Sequence, residues 1–285
     1  MIKIDAYAKI NLTLDVLGKR SDGYHELSTI MQTVELCDTL VVKKTNMPGV
    51  TIKTSHPLLS TNEGNLVFLI AQFLIMEYNI RHGVSVELIK RIPLAAGLAG
   101  GSADCAATLL ALNDLFELNL KYDELCKIGK KFGADVPFCV RGGTALAEGI
   151  GERLTTLADH PEVWIVLAKL PISVSTKDIF TRWKLQDAQP MSHKMQDAIE
   201  SGDVKKIAAN FSNMLMPIAT DLHPEIFDVM TALQKQDAIG VNMSGSGPTV
   251  FAYFIDENKA IEAAEYVKNH FIDCELFITR PKPGR

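Results

Sequence analysis

Closely spaced cysteines are missing from this chain. Its five, Cys37, Cys105, Cys126, Cys139 and Cys274, form no CxxC pair. An odd, widely spaced set suits neither a disulfide framework nor a zinc site. The expectation is reduced, buried, packing cysteines in a cytoplasmic protein. A membrane-length apolar run is also missing. The longest stretch, residues 67–76, is broken by Gln72 and is too short to span a bilayer. The first residues, Met1-Ile2-Lys3-Ile4-Asp5, hold no apolar signal core. There is no excess of positive charge. The 29 Lys and Arg against 34 Asp and Glu leave a formal charge of −5. Such a surface has no general pull on nucleic acid or anionic membrane, and neither is expected as a partner. A phosphate ligand must then be held by a local constellation. There is no internal repeat and no low-complexity tract. HExxH, the Walker A loop, the Rossmann fingerprint and the protein-kinase motifs are absent, so no metal ligand set is expected.

What is present is an ordinary globular composition. The 285 residues are 47% hydrophobic and 22% charged. A chain this long makes one or two domains and needs no covalent staple. Ile2, Ile4, Ile10, Leu12 and Leu14 share one face of an opening strand. Residues 18–23 are turn chemistry. Strands are expected over residues 29–36, 39–44, 84–92, 138–148, 163–170, 249–255 and 275–279. Asn65 should cap a helix ending near Asn79, and residues 103–116 should be helical. Asp123 is expected to cap a helix ending at Gly133. Further helices are expected over 176–184, 192–201, 204–213, 224–234 and 258–269. Strands and helices mix without strict alternation, which favours α+β. A domain boundary falls in the weak pattern after Gly149, giving domains 1–155 and 156–285. The final strand is a candidate to pack on the first domain.

The strongest local signal is Pro93-Leu94-Ala95-Ala96-Gly97-Leu98-Ala99-Gly100-Gly101-Ser102, between a strand and a helix. Small residues leave backbone N–H groups uncovered, and the helix adds its positive end. The stretch is either a polyphosphate cradle or a tight packed loop. Ser244-Gly245-Ser246-Gly247-Pro248 repeats that chemistry on a smaller scale, or is a hairpin turn. Asp135 lies in an apolar stretch, where a carboxylate must be paired or shift its pKa, or else serves as a local cap. Lys9 and Asn11 share the odd face of the first strand. They are either solvated or line a cleft. His25 follows Tyr24, so the two either stack on a flat ligand or sit idle at a turn.

Taken in order, the Lys9 strand, the Pro93–Ser102 loop with its Ala-rich helix, and the Ser244–Pro248 turn resemble the GHMP kinase superfamily. Ala8-Lys9-Ile10-Asn11-Leu12, Gly18-Lys19-Arg20-Ser21-Asp22-Gly23-Tyr24-His25-Glu26-Leu27 and Gly133-Ala134-Asp135-Val136-Pro137 are similar to one branch of it. That branch phosphorylates the 2-hydroxyl of 4-diphosphocytidyl-2-C-methyl-D-erythritol, with ATP, in non-mevalonate isoprenoid biosynthesis. The alternative is a GHMP kinase acting on homoserine, mevalonate or a sugar. From another class, a non-catalytic binding module on the same fold is the rival. The resemblance implies a two-domain α+β GHMP fold with the active site in the interdomain cleft. ATP binding falls to the N-terminal domain, and Mg²⁺ bridges the phosphates. It implies that Asp135 is the catalytic base and that Lys9 pairs with it. It implies that Pro93, Gly97, Leu98, Ala99, Gly100, Gly101 and Ser102 hold the ATP phosphates, beside Gly245 and Gly247. Asn65 and Lys90 match positions around the adenine. Tyr24, His25 and Phe180 match the residues that sandwich and hydrogen-bond the cytosine, with Asn11 and Thr176 nearby. The protein is expected as a monomer or weak dimer. Ala95, Ala96 and Ala99 stand where glycine is common, and alanine disfavours positive φ.

Overall fold

The computed structural model describes residues 1–184 and 189–285. In chain order the elements are β1 (Ile2–Lys19), β2 (His25–Thr45), β3 (Val50–Thr54), α1 (Leu66–Glu77), β4 (Gly83–Ile89), α2 (Gly100–Leu115), α3 (Tyr122–Lys130), α4 (Val136–Arg141), β5 (Thr144–Gly149), β6 (Arg153–Thr156) and β7 (Trp164–Lys169). Then follow α5 (Thr176–Arg182), α6 (Ser192–Glu200), α7 (Val204–Ala209), β8 (Ser212–Asn213), α8 (Met216–Leu222), α9 (Pro224–Lys235), β9 (Gly240–Met243), β10 (Thr249–Phe254), α10 (Glu257–His270) and β11 (Glu275–Thr279). The α+β class is as expected. The chain divides into two compact units that interleave in sequence. One holds residues 1–8, 36–94 and 99–141, the other residues 9–35, 95–98 and 142–285.

In the first unit the second half of β2 pairs antiparallel with β4, from Thr39 with Ile89 to Thr45 with Gly83. β3 pairs parallel with β4. Helix α2 packs on α1, α3 and α4. Alanines and Leu109, Leu112 and Cys105 bury most of its circumference, so small side chains let three helices approach it at once. Residues 29–36 and 39–44 were expected as two strands, and β2 runs through both. The intervening Asp38 is buried and accepts the N–H groups of Arg91 and Ile92 at 2.5 and 2.8 Å, which holds a poor strand former in extended backbone. The expected strand over 138–148 is half helix. Asp135 C=O accepts Cys139 N–H at 3.0 Å, opening α4, and Pro137 sits in its first turn where no N–H is needed. Strand structure starts only at Thr144. Helix α3 starts at Tyr122, so Asp123 lies inside its first turn and does not cap it.

In the second unit the first half of β2 pairs with β5, β5 with β6, and β1 runs parallel to β8. A four-stranded sheet of order β11-β7-β10-β9 is antiparallel throughout. Every residue of β10 is buried. α9 and α10 lie on this sheet. Ile226, Val229 and Leu233 from α9 and Ala260, Ala263 and Val267 from α10 meet Val166, Val250 and Phe254 in one core. Each fully buried Val, Leu, Ile or Phe contributes about 1.5–3 kcal/mol. The final strand, β11, pairs with β7, and the residues after it return to β2, where Pro281 bridges Val34. The expected helix over 204–213 stops at Ala209 because residues 212–213 are drawn into β8. Cys105 is buried, but the other four cysteines are half-buried, short of the packing role expected for them. Burial pushes the Cys105 thiol up to about 12 and the Cys274 thiol up to about 11.

Candidate active site

Alternation along β1 builds the first part of the site. Its even residues from 10 to 16 are core, and its odd residues Lys9, Asn11, Thr13 and Asp15 are buried as well. A buried ammonium needs an acceptor. Lys9 Nζ donates to Asn11 Oδ1 at 2.6 Å, with only 4% of Lys9 exposed. That removes the solvated alternative. Asn11 Nδ2 donates to Thr29 Oγ1 at 2.8 Å, and Asn11 N–H donates to Ser244 Oγ at 3.3 Å.

Ser244 opens the second glycine turn and ties it to the first glycine loop. Its hydroxyl donates to Gly97 C=O at 3.0 Å. Gly97 has φ of 72°, and a Cβ there would lie 2.3 Å from the Ser244 carbonyl oxygen, so only glycine fits. Leu98 C=O accepts Lys9 N–H at 3.2 Å. Asn213 Nδ2 donates to Met243 C=O and Gly245 C=O, both at 2.8 Å, fixing the turn from below. Ser246 and Thr176 share a hydroxyl–hydroxyl bond of 2.8 Å. Lys9, Asn11, Gly97, Leu98, Gly245 and, through Ser246, Thr176 are thus brought together. Gly247 belongs to the same turn, and its Cβ would lie 2.7 Å from Met243 Sδ. Sequence reasoning named neither Thr29 nor Ser244 as a site residue. For Ser244 the signal was its hydroxyl within a glycine turn.

Pro93, Ala99, Gly100, Gly101 and Ser102 belong to the other unit. Ala99 is the N-cap residue of α2, with φ of 56° and no side-chain cap. Ala95 also has a positive φ, 50°. These alanines do adopt the left-handed conformation that alanine disfavours. The first N–H groups of the 16-residue α2 have no acceptor within the helix, and no acidic residue stands in its first turn. Gly133 lies against this end, since a Cβ there would be 3.5 Å from Ser102 Oγ. Asp135 follows two residues later, half-buried at the start of α4.

Asn65 and Lys90 have structural duties of their own. Asn65 Oδ1 accepts Val67 N–H at 2.9 Å and caps α1 as expected, while its Nδ2 donates to Ser60 C=O at 2.8 Å. Lys90 Nζ bonds Asp38 and, at 2.7 Å, Asp104, with 2% of its side chain exposed. Its ammonium is committed to these carboxylates. Burial holds the Asp104 carboxyl well above the usual carboxylate range, against the pull of Lys90.

A cavity of about 470 Å³ lies in the second unit, lined in part by Lys19, Tyr24, His25, Thr176, Lys177 and Phe180. The His25 and Phe180 rings lie 5.1 Å apart at 31°, and Trp183 meets His25 edge-on at 5.5 Å. Trp183 was missed. It stands three residues after Phe180, a spacing that puts the two on one side of α5. Burial, and then the charge of Lys19, lower the His25 pKa, which favours the neutral ring. Tyr24 is 61% exposed at the cavity. Among the described residues no group of three or more His, Cys, Asp or Glu could hold a metal ion, and no helix is long and apolar enough to cross a membrane.

Family models match two stretches of the chain, GHMP kinases N terminal domain over residues 65–143 and GHMP kinases C terminal over residues 195–273. A 4-diphosphocytidyl-2-C-methyl-D-erythritol kinase of Lachnoclostridium phytofermentans is 46% identical over 268 residues, covering 93% of this chain and 92% of its own. One from Caldicellulosiruptor bescii is 44% identical, covering 94% of each. The crystal structure of a 4-(cytidine 5'-diphospho)-2C-methyl-D-erythritol kinase superposes with a TM-score of 0.86 at 32% identity, over 99% of this chain and all of that one. A homoserine kinase from Cytophaga hutchinsonii, 19% identical over 99% of this chain and 95% of its own, shares the fold at a TM-score of 0.78. With near-full coverage at more than 40% identity, this chain belongs to the 4-diphosphocytidyl-2-C-methyl-D-erythritol kinase family of the GHMP kinases.

Proposed function

We propose that this protein transfers the γ-phosphoryl group of ATP to the 2-hydroxyl of 4-diphosphocytidyl-2-C-methyl-D-erythritol, giving the 2-phosphate and ADP. The observation that carries the choice of acceptor is the cavity of Tyr24, His25, Thr176 and Phe180. An exposed ring and a half-buried one lining the same cavity, with a neutral imidazole beside the latter, suit a flat, hydrogen-bonding heterocycle. Homoserine, mevalonate and simple sugars carry no such base.

Phosphoryl transfer asks the protein for position and charge rather than covalent chemistry. The acceptor oxygen forms a bond to the γ-phosphorus as the bond to the β–γ bridging oxygen breaks. Asp135 takes the hydroxyl proton. Lys9, fixed on Asn11, supplies positive charge for the reacting groups. Gly97, Leu98, Ala99, Gly100, Gly101 and Ser102 cradle the ATP phosphates through backbone N–H groups and the α2 terminus, while Pro93, which has no N–H to give, opens the loop, and Gly245 and Gly247 brace Gly97. Asn65 and Lys90 shape the adenine side through their backbone and stems, since their polar tips are bonded within the protein. Among the described residues no group of three or more His, Cys, Asp or Glu could hold a metal ion, so a bound Mg²⁺ would rely mainly on the phosphates and would supply charge neutralisation there. The residues present suit that mode, and the oxygens of Ser102 and Asp135 are those that would complete it from the protein side. ATP binding falls chiefly to residues 1–155, while the substrate cavity draws on both stretches, Lys19, Tyr24 and His25 from 1–155 and Thr176 and Phe180 from 156–285, in a cytoplasmic monomer or weak dimer.

The position of the new phosphate tests the reading. Product from the cytidine compound should show one new phosphomonoester by ³¹P NMR, coupled to no proton because C2 of the methylerythritol is quaternary. A phosphorus coupled to a carbinol proton would place the transfer on another hydroxyl.

A further inference from the structure

We infer that Thr29 is a positioning residue that decides which end of the Asn11 amide faces Lys9. This rests on the catalytic role proposed above for Lys9. Donors and acceptors along one buried chain of bonds fix that orientation. Thr29 Oγ1 lies 2.5 Å from Thr13 C=O. A carbonyl can only accept, so the single hydroxyl proton of Thr29 is committed there. What Thr29 then offers Asn11, 2.8 Å away, is a lone pair. The Asn11 atom facing Thr29 must therefore be the NH₂ group. That leaves Oδ1 facing Lys9 Nζ at 2.6 Å, and an ammonium, which has no lone pair, requires an acceptor at that place.

Both ends of the chain demand the same amide orientation. The four side chains are between 0% and 4% exposed, so water does not compete for these bonds. The backbone holds the source of the relay in register. Thr29 pairs with Ala147 on β5, and the adjacent Ile30 N–H donates to Thr13 Oγ1 at 3.1 Å. With valine at 29, only the Lys9 ammonium would still hold the amide, and the buried NH₂ group would lose the acceptor it has on Thr29. A buried donor left unpaired is costly, so the amide would shift or rotate to satisfy it and carry Lys9 from its seat. Thr29 touches no reacting atom in this scheme and acts only through Asn11.

Thr29→Val keeps the shape and removes the hydroxyl, whereas Thr29→Ser keeps the hydroxyl and removes a methyl. Steady-state turnover of the cytidine compound should fall at least about tenfold in kcat for Thr29→Val, less than the full loss of a general acid or base. The KM for ATP should stay within about twofold, and Thr29→Ser should recover most of kcat. A Thr29→Val enzyme with wild-type kcat would overturn the inference. So would Thr29→Ser being as slow as Thr29→Val, which would trace the effect to packing. Amide exchange read by ¹⁵N NMR decides the same point without activity. The Asn11 side-chain NH₂ should be protected in wild type and Thr29→Ser and should lose protection in Thr29→Val. Unchanged protection in Thr29→Val would refute the relay. If Lys9→Met retained turnover while this NMR pattern held, the role given to Lys9 would fall and that of Thr29 in orienting the amide would stand.

Discussion

A methyl group at position 97 would meet the Ser244 carbonyl oxygen at 2.3 Å and would also have to be carried at a φ of 72°. Gly97→Ala is therefore expected to lose both stability and the ATP site. Its melting temperature should drop by several degrees, in keeping with about 1–2 kcal/mol for a left-handed L-residue before any clash. Ala99 already sits at φ of 56°. Ala99→Gly should keep wild-type melting within a few degrees, because relief of strain offsets the greater freedom of the unfolded glycine. A Gly97→Ala protein as stable and active as wild type would contradict the loop geometry. At Asp135 the expectation is chemical. Asp135→Asn should lower kcat by about 10²–10⁴-fold with little change in ATP binding, the usual worth of a general base. Near-normal kcat in that variant would remove Asp135 from proton transfer.

At the scale of elements, α5 carries Thr176, Phe180 and, at its C-terminal end, Trp183. Phe180→Ala should raise the KM for the cytidine compound by roughly 5- to 150-fold, as for the loss of one base stacked on an aromatic ring at about 1–3 kcal/mol. The KM for ATP should not move. An unchanged acceptor KM would reject the cytosine assignment. Elements with a strong signal were legible in sequence. Asn65 before an apolar run marked α1, and the Ala- and Leu-rich stretch marked α2. Those missed had ambiguous local chemistry. Val136, Pro137, Phe138 and Val140 form a short apolar run that reads equally as strand or helix, and the tertiary setting chose α4. Asp38 looked like a strand break because its partners, Lys90, Arg91 and Ile92, lie over fifty residues away. In the site, the glycine segments and Lys9 were legible from residue type and order. The bonds that lock them, from Ser244 to Gly97 and from Asn11 to Thr29, depend on pairings that no local pattern encodes.

For the whole molecule, the interleaving of the two units follows from β1 and β2, each of which contributes residues to both. Stability should show an acid limb from His160. The His160 ring is buried, with Nδ1 2.6 Å from Pro161 C=O and Nε2 3.1 Å from the buried Tyr253 hydroxyl. The first contact makes Nδ1 the donor, so Nε2 accepts from Tyr253 and the ring is neutral. Burial lowers its pKa from 6.5 to about 4. Between those values the unfolded chain binds the proton more readily. Stability from this group is present above pH 6.5 and is lost as the pH falls towards 4, by about 3 kcal/mol in all. Urea midpoints measured from pH 7 to 4.5 should fall more steeply in wild type than in His160→Gln. Parallel curves would show that His160 does not contribute this limb.

Selection of the acceptor by the cavity of Tyr24, His25 and Phe180, beside a phosphate-binding kinase site, is tested by ADP release from the purified protein with Mg²⁺-ATP. The acceptors to compare are 4-diphosphocytidyl-2-C-methyl-D-erythritol, mevalonate, homoserine and galactose. Fast turnover on the cytidine compound alone is the predicted result. Equal or faster turnover on an acceptor without a base would contradict the account, because the cavity would then have no part in choosing the substrate.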